Sequence, residues 1–298
     1  MILFLQISGW VMFGMIAVAT IPTVVASLFH YLKPLSRADG GEYRGNEQIA
    51  TPLVSVIMPA RNEGAQIEQA MQSILASSGI TLELIVVNDR STDQTGAIIN
   101  RLASADQRVH PIHITELPPG WLGKNHAMHV ASEQARGTLL LFTDGDILFH
   151  PDAIQTAIQD LRSSEIQHLT ILPQMLPGSI GERASIAFFG LAFLIGVQLP
   201  LLRTRFPMAY AGVGAFNLID ADFYRRMGGH KALRLNVLDD MYLGKHVKQA
   251  GGIHNLKFGP DLLAVRWQPS WWGIITGLEK NGFAALGYSI PRVLMATV

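Results

Sequence analysis

Two aspartates flank one glycine in LLLFTDGDILFHPDAI, residues 139–154. Asp144 and Asp146 follow an apolar run, so two like charges fall where a strand leaves the core. Like charges this close destabilise each other unless a cation sits between them. Residues i and i+2 at a strand end can converge on one divalent ion. Mg²⁺ takes one or two carboxylates and completes its shell with substrate phosphates and water. Such an ion can act as a Lewis acid on an oxygen bound beside it. Taken alone, Asp-Gly is equally a common turn dipeptide. A second acidic pair, Asp239 and Asp240, opens LDDMYLGKHVKQAGG. One acid there can cap a helix while the other acts as a general base. Lys124 follows a glycine in GWLGKNHAM, where it can meet a phosphate as a point charge or stay solvated at a helix start. His126 and His129 stand at i, i+3, but a zinc site needs further ligands that the spacing does not indicate. Arg266 and Trp267 lie late in the chain, the arginine suited to a phosphate, an acceptor or a structural ion pair.

These residues need elements to hold them. LVSVIMP from Leu53, LELIVVND from Leu82, RVHPIHI and GTLLLFTD read as strands, the first stopped by Pro59. EGAQIEQAMQSILAS, STDQTGAIINRLA, GKNHAMHVASEQA and HPDAIQTAIQDL have apolar residues at helical spacing. Strand and helix alternate, which predicts an α/β domain with a mostly parallel central sheet. Such sheets bind ligands beyond the carboxyl ends of their strands. Polar clusters fall at those ends: Pro59 to Glu63 with Arg61, Asn88 to Ser91 with Asp89, and Thr143 to Asp146. Neither GxGxxG nor GxxxxGK[ST] follows the first strand, so no dinucleotide fold or P-loop is expected.

The composition places limits on function. The 298 residues balance to a formal charge of zero and include no cysteine. Disulfides and thiolate metal sites are excluded, and nothing points to nucleic acid. Residues 2–32 carry no charged side chain, long enough for a retained transmembrane anchor over 1–33. Lys33, Arg37 and Arg44 follow, placing the rest on the cytoplasmic face of the inner membrane. Residues 34–52 read as a linker, 53–162 as an α/β half and 163–265 as a second half of different pattern. Residues 184–202 form an uncharged segment, expected to lie in the membrane interface rather than cross it. Residues 266–298 are Trp- and Gly-rich, an amphipathic membrane-proximal segment.

VSVIMPARNE, LIVVNDRSTDQT, GWLGKNHAM, LLLFTDGDILFHPDA and LDDMYLGKHVKQAG occur in the order found in family 2 glycosyltransferases, which the chain resembles from about Leu53 to Ser289. PGWLGKNHA and VRWQPSWWGIITGLEKNGFAALG resemble the membrane-anchored subgroup that glycosylates hopanoids, carotenoids or ceramide. The resemblance implies a GT-A fold, a nucleotide-sugar donor such as a UDP-sugar, a lipid-like acceptor and a divalent Mg²⁺ or Mn²⁺. It makes Asp89 the contact to the base and Pro59 to Glu63 the nucleoside lining. It makes Asp144 and Asp146 the metal-binding DxD motif. Asp240, preceded by Asp239, becomes the base of an inverting transfer. The pair is Asp-Asp where Glu-Asp is usual, so the base could shift by one residue. Arg266 and Trp267 stand where processive relatives carry QxxRW, but Leu263 replaces the glutamine, against a processive synthase. A sugar-nucleotide pyrophosphorylase-like enzyme or a non-catalytic nucleotide-sugar-binding subunit would also use such a core.

Overall fold

A computed structural model describes residues 14, 18, 34–36 and 52–266. The expected anchor, most of the linker and the segment from Trp267 onward lie outside the described residues. One eight-stranded sheet organises the rest, in the order β3-β2-β1-β4-β7-β6-β8-β5. The strands are β1 (Leu53–Ala60), β2 (Thr81–Asp89), β3 (Val109–Ile114), β4 (Leu139–Phe142), β5 (Leu148–Phe149), β6 (His168–Met175), β7 (Asn217–Asp220) and β8 (His254–Val265).

The first half follows from the sequence pattern. β1 pairs in parallel with β2 and β4, and β2 with β3. Such strands are covered on both faces, which is why Val54, Val56, Ile57 and Met58 are all fully buried. Each such side chain contributes about 1.5–3 kcal/mol relative to exposure. The strand is not stopped by Pro59: β1 runs through it to Ala60. β4 pairs only with Val54 to Ile57 of β1, and Ile57 O accepts from Thr143 N at 3.1 Å. Pro59, two residues on, points to the same side, beyond the end of β4, so its missing N–H removes no ladder bond.

The second half departs from expectation. The sheet is mixed, not mostly parallel. β7 runs antiparallel to both β4 and β6, and β5 antiparallel to β8. β7 is reached through a long helix and loop instead of a strand–helix–strand crossover, so it enters from the opposite end. β6 and β8, which the sequence pattern did not single out, pair in parallel with a register break at Pro173/Gln174. Pro173 pairs with Gly259 and Gln174 with Ala264, leaving residues 260–263 unpaired to β6. That bulge carries β8 across to β5.

From residue 52 to 266 the α-helices are α1 (Ile67–Leu75), α2 (Thr95–Ala105), α3 (Gly123–Gln134), α4 (Ala153–Ser163), α5 (Ile180–Val197), α6 (Ala221–Arg226) and α7 (Asp239–Gln249). α1, α2 and α4 cover one sheet face, with Ile67, Met71, Ile99, Ile154 and Ala157 buried against it. α3, α6 and α7 cover the other, through Met128, Ala131, Tyr224, Leu243 and Val247. The apolar segment expected at 184–202 begins earlier, at Ile180. Ser179 caps it by accepting from Glu182 N at 3.2 Å. It ends at Gln198, in the left-handed region at φ 51°, and continues as a 3₁₀ turn over Leu199–Leu201. Among the described residues, no helix is long and apolar enough to cross a membrane.

Candidate active site

The chain runs outward from β1 through β2 to β3, then returns to the other side of β1 as β4. That reversal opens a crevice beyond the carboxyl ends of β1 and β4. Thr143 and Asp144 leave β4 there, tied to an incoming segment. Thr143 Oγ1 donates to Ala215 O at 2.8 Å, and Asp144 N donates to Gly214 O at 3.0 Å. Asn217 Nδ2 braces that segment from below, donating to Val213 O at 2.6 Å.

Lys124 joins the two acidic pairs. Its Nζ lies 2.7 Å from Asp144 Oδ1 and 3.4 Å from Asp239 Oδ2. The approach is built by docking α3 onto the loop before α7. Leu122 N donates to Arg234 O at 2.8 Å, and Asn125 Nδ2 donates to Asn236 O at 2.9 Å. Burial works against the Lys124 charge, but Asp144, Asp239 and Asp240 outweigh it and hold the ammonium protonated. Asp239 and Asp240 are both pushed above the usual carboxylate range, by burial first. Asp240 is raised further by Asp239 beside it, while Lys124 opposes the rise in both. Asp240 Oδ1 accepts from Met241 N at 2.7 Å.

Two glycines make this closeness possible. A Cβ on Gly214 would overlap the Asp144 carboxylate, and one on Gly212 would overlap the Asp240 carbonyl. Gly244, one turn into α7, faces Ala211 O in the same way. The stretch YAGVGAF therefore lies as a seam between the two acidic pairs. The sequence signal was its i, i+2 glycine spacing, which the reading of motifs passed over.

Around Asp146 negative charge is in surplus. Burial and the Asp144 charge push the Asp146 carboxyl to about 6. Glu63 is pushed to about 7, by burial first and then by Asp146, Asp144 and Asp93. Glu63 leans over the motif: a Cβ on Gly145 would sit 3.5 Å from Glu63 Cγ. So Glu63 adjoins the two aspartates, while Arg61 is exposed after β1 and Pro59 stays within it.

Asp89 is buried at the end of β2 and held by its neighbour. Arg90 Nε lies 2.7 Å from Oδ1 and Nη2 2.9 Å from Oδ2, a bidentate pair. Arg90 takes a left-handed backbone, φ 55°, to fold back this way. Gly123 lets α3 start against that carboxylate, where a Cβ would collide with Asp89 Oδ2. Arg90 belongs to the strand-end cluster Asn88 to Ser91, but its pairing with Asp89 was not expected from the sequence. His129 stacks on Trp121 at 5.0 Å between ring centroids, with His126 edge-on at 5.4 Å. Among the described residues, no group of three or more His, Cys, Asp or Glu side chains could hold a metal by itself. Arg266 lies at the end of β8, where its guanidinium and Glu182 of α5 flank Gly178. Trp267 lies outside the described residues.

Residues 55–168 match the family model described as Glycosyl transferase family 2. The 4,4'-diaponeurosporenoate glycosyltransferase of Staphylococcus aureus (strain bovine RF122 / ET3-1) is 24% identical over 248 residues, covering 82% of this chain and 64% of that protein. The same enzyme from strain USA300 has the same identity and coverage. The chain thus spans 64% of the length of these curated relatives. Among solved structures, mannosyltransferase PcManGT from Pyrobaculum calidifontis, in complex with GDP-Man and Mn²⁺, superposes with a TM-score of 0.53 at 18% identity, covering 95% of this chain and 90% of that one. S. aureus TarS gives 0.51 at 19%, covering 74% of this chain and 37% of that one. At these identities the likeness is one of fold, a GT-A-like α/β domain around a mixed sheet.

Proposed function

We propose that this chain, whose residues 55–168 match the Glycosyl transferase family 2 model, moves a glycosyl group from a nucleotide-sugar donor onto a lipid-like acceptor, with inversion at the anomeric carbon, at the cytoplasmic membrane face. The observation that carries the reading is Lys124, whose one ammonium joins the strand-end aspartates to the acids of α7. A leaving group and a base must both lie within reach of one sugar carbon, and this bridge gathers both sets of residues into one crevice. The lipid-like acceptor is supported by the similarity to enzymes named for a carotenoid carboxylate.

The residues present fit a divalent cation. Asp144, Asp146 and Glu63 leave negative charge that Lys124 alone does not balance, and a Mg²⁺-type ion needs only one or two carboxylates when phosphates complete its shell. Asp144 and Asp146 would hold it, and when bound it would supply charge neutralisation to the departing diphosphate. The chain's own residues do the rest. Asp89, fixed by Arg90, lines the base end of the crevice. Lys124 faces the phosphates as a positive charge. Its pairing with Asp239 leaves Asp240 as the acid free to take a proton. Asp240 Oδ1 is occupied by Met241 N, so Oδ2 receives the proton of the acceptor hydroxyl. The acceptor oxygen, freed of that proton, bonds the anomeric carbon as the bond from that carbon to the donor diphosphate breaks. A raised carboxyl suits a general base working near neutral pH.

The test is incubation of the purified full chain with UDP- and GDP-sugars, Mg²⁺ or Mn²⁺ and membrane lipid extract, read by mass spectrometry. A hexose-bearing lipid with release of nucleoside diphosphate is expected. Donor binding without sugar transfer or release would overturn the enzyme reading in favour of a binding subunit.

A further inference from the structure

α5 is an apolar helix that the domain leaves largely uncovered. Ile180, Ala184, Ala187 and Leu191 recur at one-turn spacing, share a face, and are all exposed. Ile180 is 87% exposed and Leu191 56%. The loop that follows carries Leu201, Phe206 at 40% and Met208 at 69% exposure. A soluble helix normally presents a polar face to water. Here the outward face is the apolar one. Contiguous exposed apolar surface of this kind marks an interaction site.

Charge indicates the partner. Between Leu176 and Met208 the charged residues are Glu182, Arg183, Arg203 and Arg205. Glu182 is buried and its carboxylate accepts from Gly178 N at 2.5 Å, so it offers nothing to the surface. The three arginines are exposed, one in the first turn of α5 and two just past the 3₁₀ turn that follows it. An apolar stripe with arginines at both ends matches a bilayer whose headgroups are anionic: apolar side chains enter the acyl boundary and guanidiniums meet phosphates.

The anchoring of α5 leads to the strand that residues 34 and 35 also reach. Val197, Leu199 and Leu202 seat the helix end on Leu256 of β8, with Leu172 of β6 against them. Lys248 of α7 clamps the loop, donating to Leu202 O at 2.5 Å and also to Thr204 O. Two residues further along β8, Leu35 N donates to Phe258 O at 2.6 Å. Residues 34 and 35, which follow the uncharged run of residues 2–32 in the sequence, therefore meet the strand on which α5 rests.

We propose that the exposed face of α5, with Phe206 and Met208, is a docking surface for an anionic phospholipid bilayer, on which the helix lies in the interface plane. This does not depend on glycosyl transfer, so its failure would leave the functional reading standing. The chain contains no cysteine, so single cysteines at Leu191, Phe206 or Met208 can each carry an environment-sensitive fluorophore, with Ser104→Cys on the exposed surface of α2 as the control. The full-length protein is reconstituted in phosphatidylcholine vesicles with or without phosphatidylglycerol, with nitroxide-labelled acyl chains as quencher. Quenching at all three positions and none at Ser104 is expected, stronger with phosphatidylglycerol. Arg203→Gln with Arg205→Gln should weaken the phosphatidylglycerol preference roughly 30-fold, at about fivefold per arginine. A blue-shifted but unquenched label would mean that protein covers this face and would overturn the proposal, as would a solvent-like label. Equal quenching with and without phosphatidylglycerol would overturn its electrostatic half.

Discussion

The two acidic pairs of this protein have the same composition and opposite settings. Asp144 and Asp146 leave a strand, where alternation sends consecutive side chains to different sides and two residues span most of a carboxylate site. Asp239 and Asp240 begin a helix, where both acids fall within one turn, near backbone N–H groups and the positive end of the helix dipole. The strand pair opens onto the crevice beside Glu63 and gathers unbalanced charge. In the helix pair Asp239 is buried against Lys124, and Asp240 keeps a raised carboxyl beside it. The difference teaches that charge surplus at the strand end suits a cation and phosphates, while enclosure at the helix end suits proton transfer.

Removing the strand pair tests the larger half of that contrast. Asp144→Ala with Asp146→Ala should abolish transfer and erase any response to added Mg²⁺, Mn²⁺ or EDTA in the same assay. A double variant with full activity in EDTA would refute a metal role for these carboxylates. On the helix side, Asp240→Asn should lower kcat by roughly 10²–10⁴-fold while donor affinity by calorimetry stays within a few-fold. Loss of donor binding instead would make Asp240 structural, and the same kinetic pattern in Asp239→Asn alone would shift the base by one residue.

The glycine seam separates the two settings, so disturbing it should affect one side more than the other. Gly214→Ala pushes on the Asp144 carboxylate and should lower kcat/KM by about 10²-fold, the scale of a misplacement near one ångström. Circular dichroism should stay native, because Gly214 is only half-buried; a melted domain would mean that the seam holds the fold and not the site. The smallest effect concerns pH. Asp146 and Glu63 have raised carboxyls, about 6 and about 7, so they hold protons that a bound cation must displace. Affinity for Mn²⁺ with nucleoside diphosphate should be full only above about pH 8 and fall as pH drops through 7 and then 6, several-fold between about pH 8 and 5.5 by titration calorimetry. A pH-independent affinity would remove both groups from the cation site.

Legibility in the sequence followed the range of the interaction. β1 to β4 and α1 to α4 could be read because their periods repeat within a few residues and Pro151, Asp93 and Gly137 punctuate them. β6 and β8 could not. HLTILPQM has too few alternations to distinguish, and HNLKFGPDLLAV contains the Gly-Pro-Asp of a bulge, which reads as a turn. The antiparallel course of β7 depends on which edge of β4 remains open after folding. The candidate site divides the same way. Asp144, Asp146, Asp239 and Asp240 stood out by type and spacing, and Lys124 as a cation after a glycine at a helix start. Arg90 stood within the strand-end cluster Asn88 to Ser91, but its pairing could not be read, since only its backbone conformation turns it onto Asp89.

By itself the sequence determined which side chains gather at the ends of which strands, that an uncharged segment precedes the domain, and that no thiol takes part in its chemistry. Those properties are local, set by residue identity and by neighbours a few positions away. Only the tertiary structure decided that one lysine joins the two acidic pairs, that glycines 212 and 214 make the room, that the sheet is mixed, and which face of α5 is left uncovered. Each of these depends on how distant segments pack, and backbone approaches that close are set by the whole core and not by any single stretch.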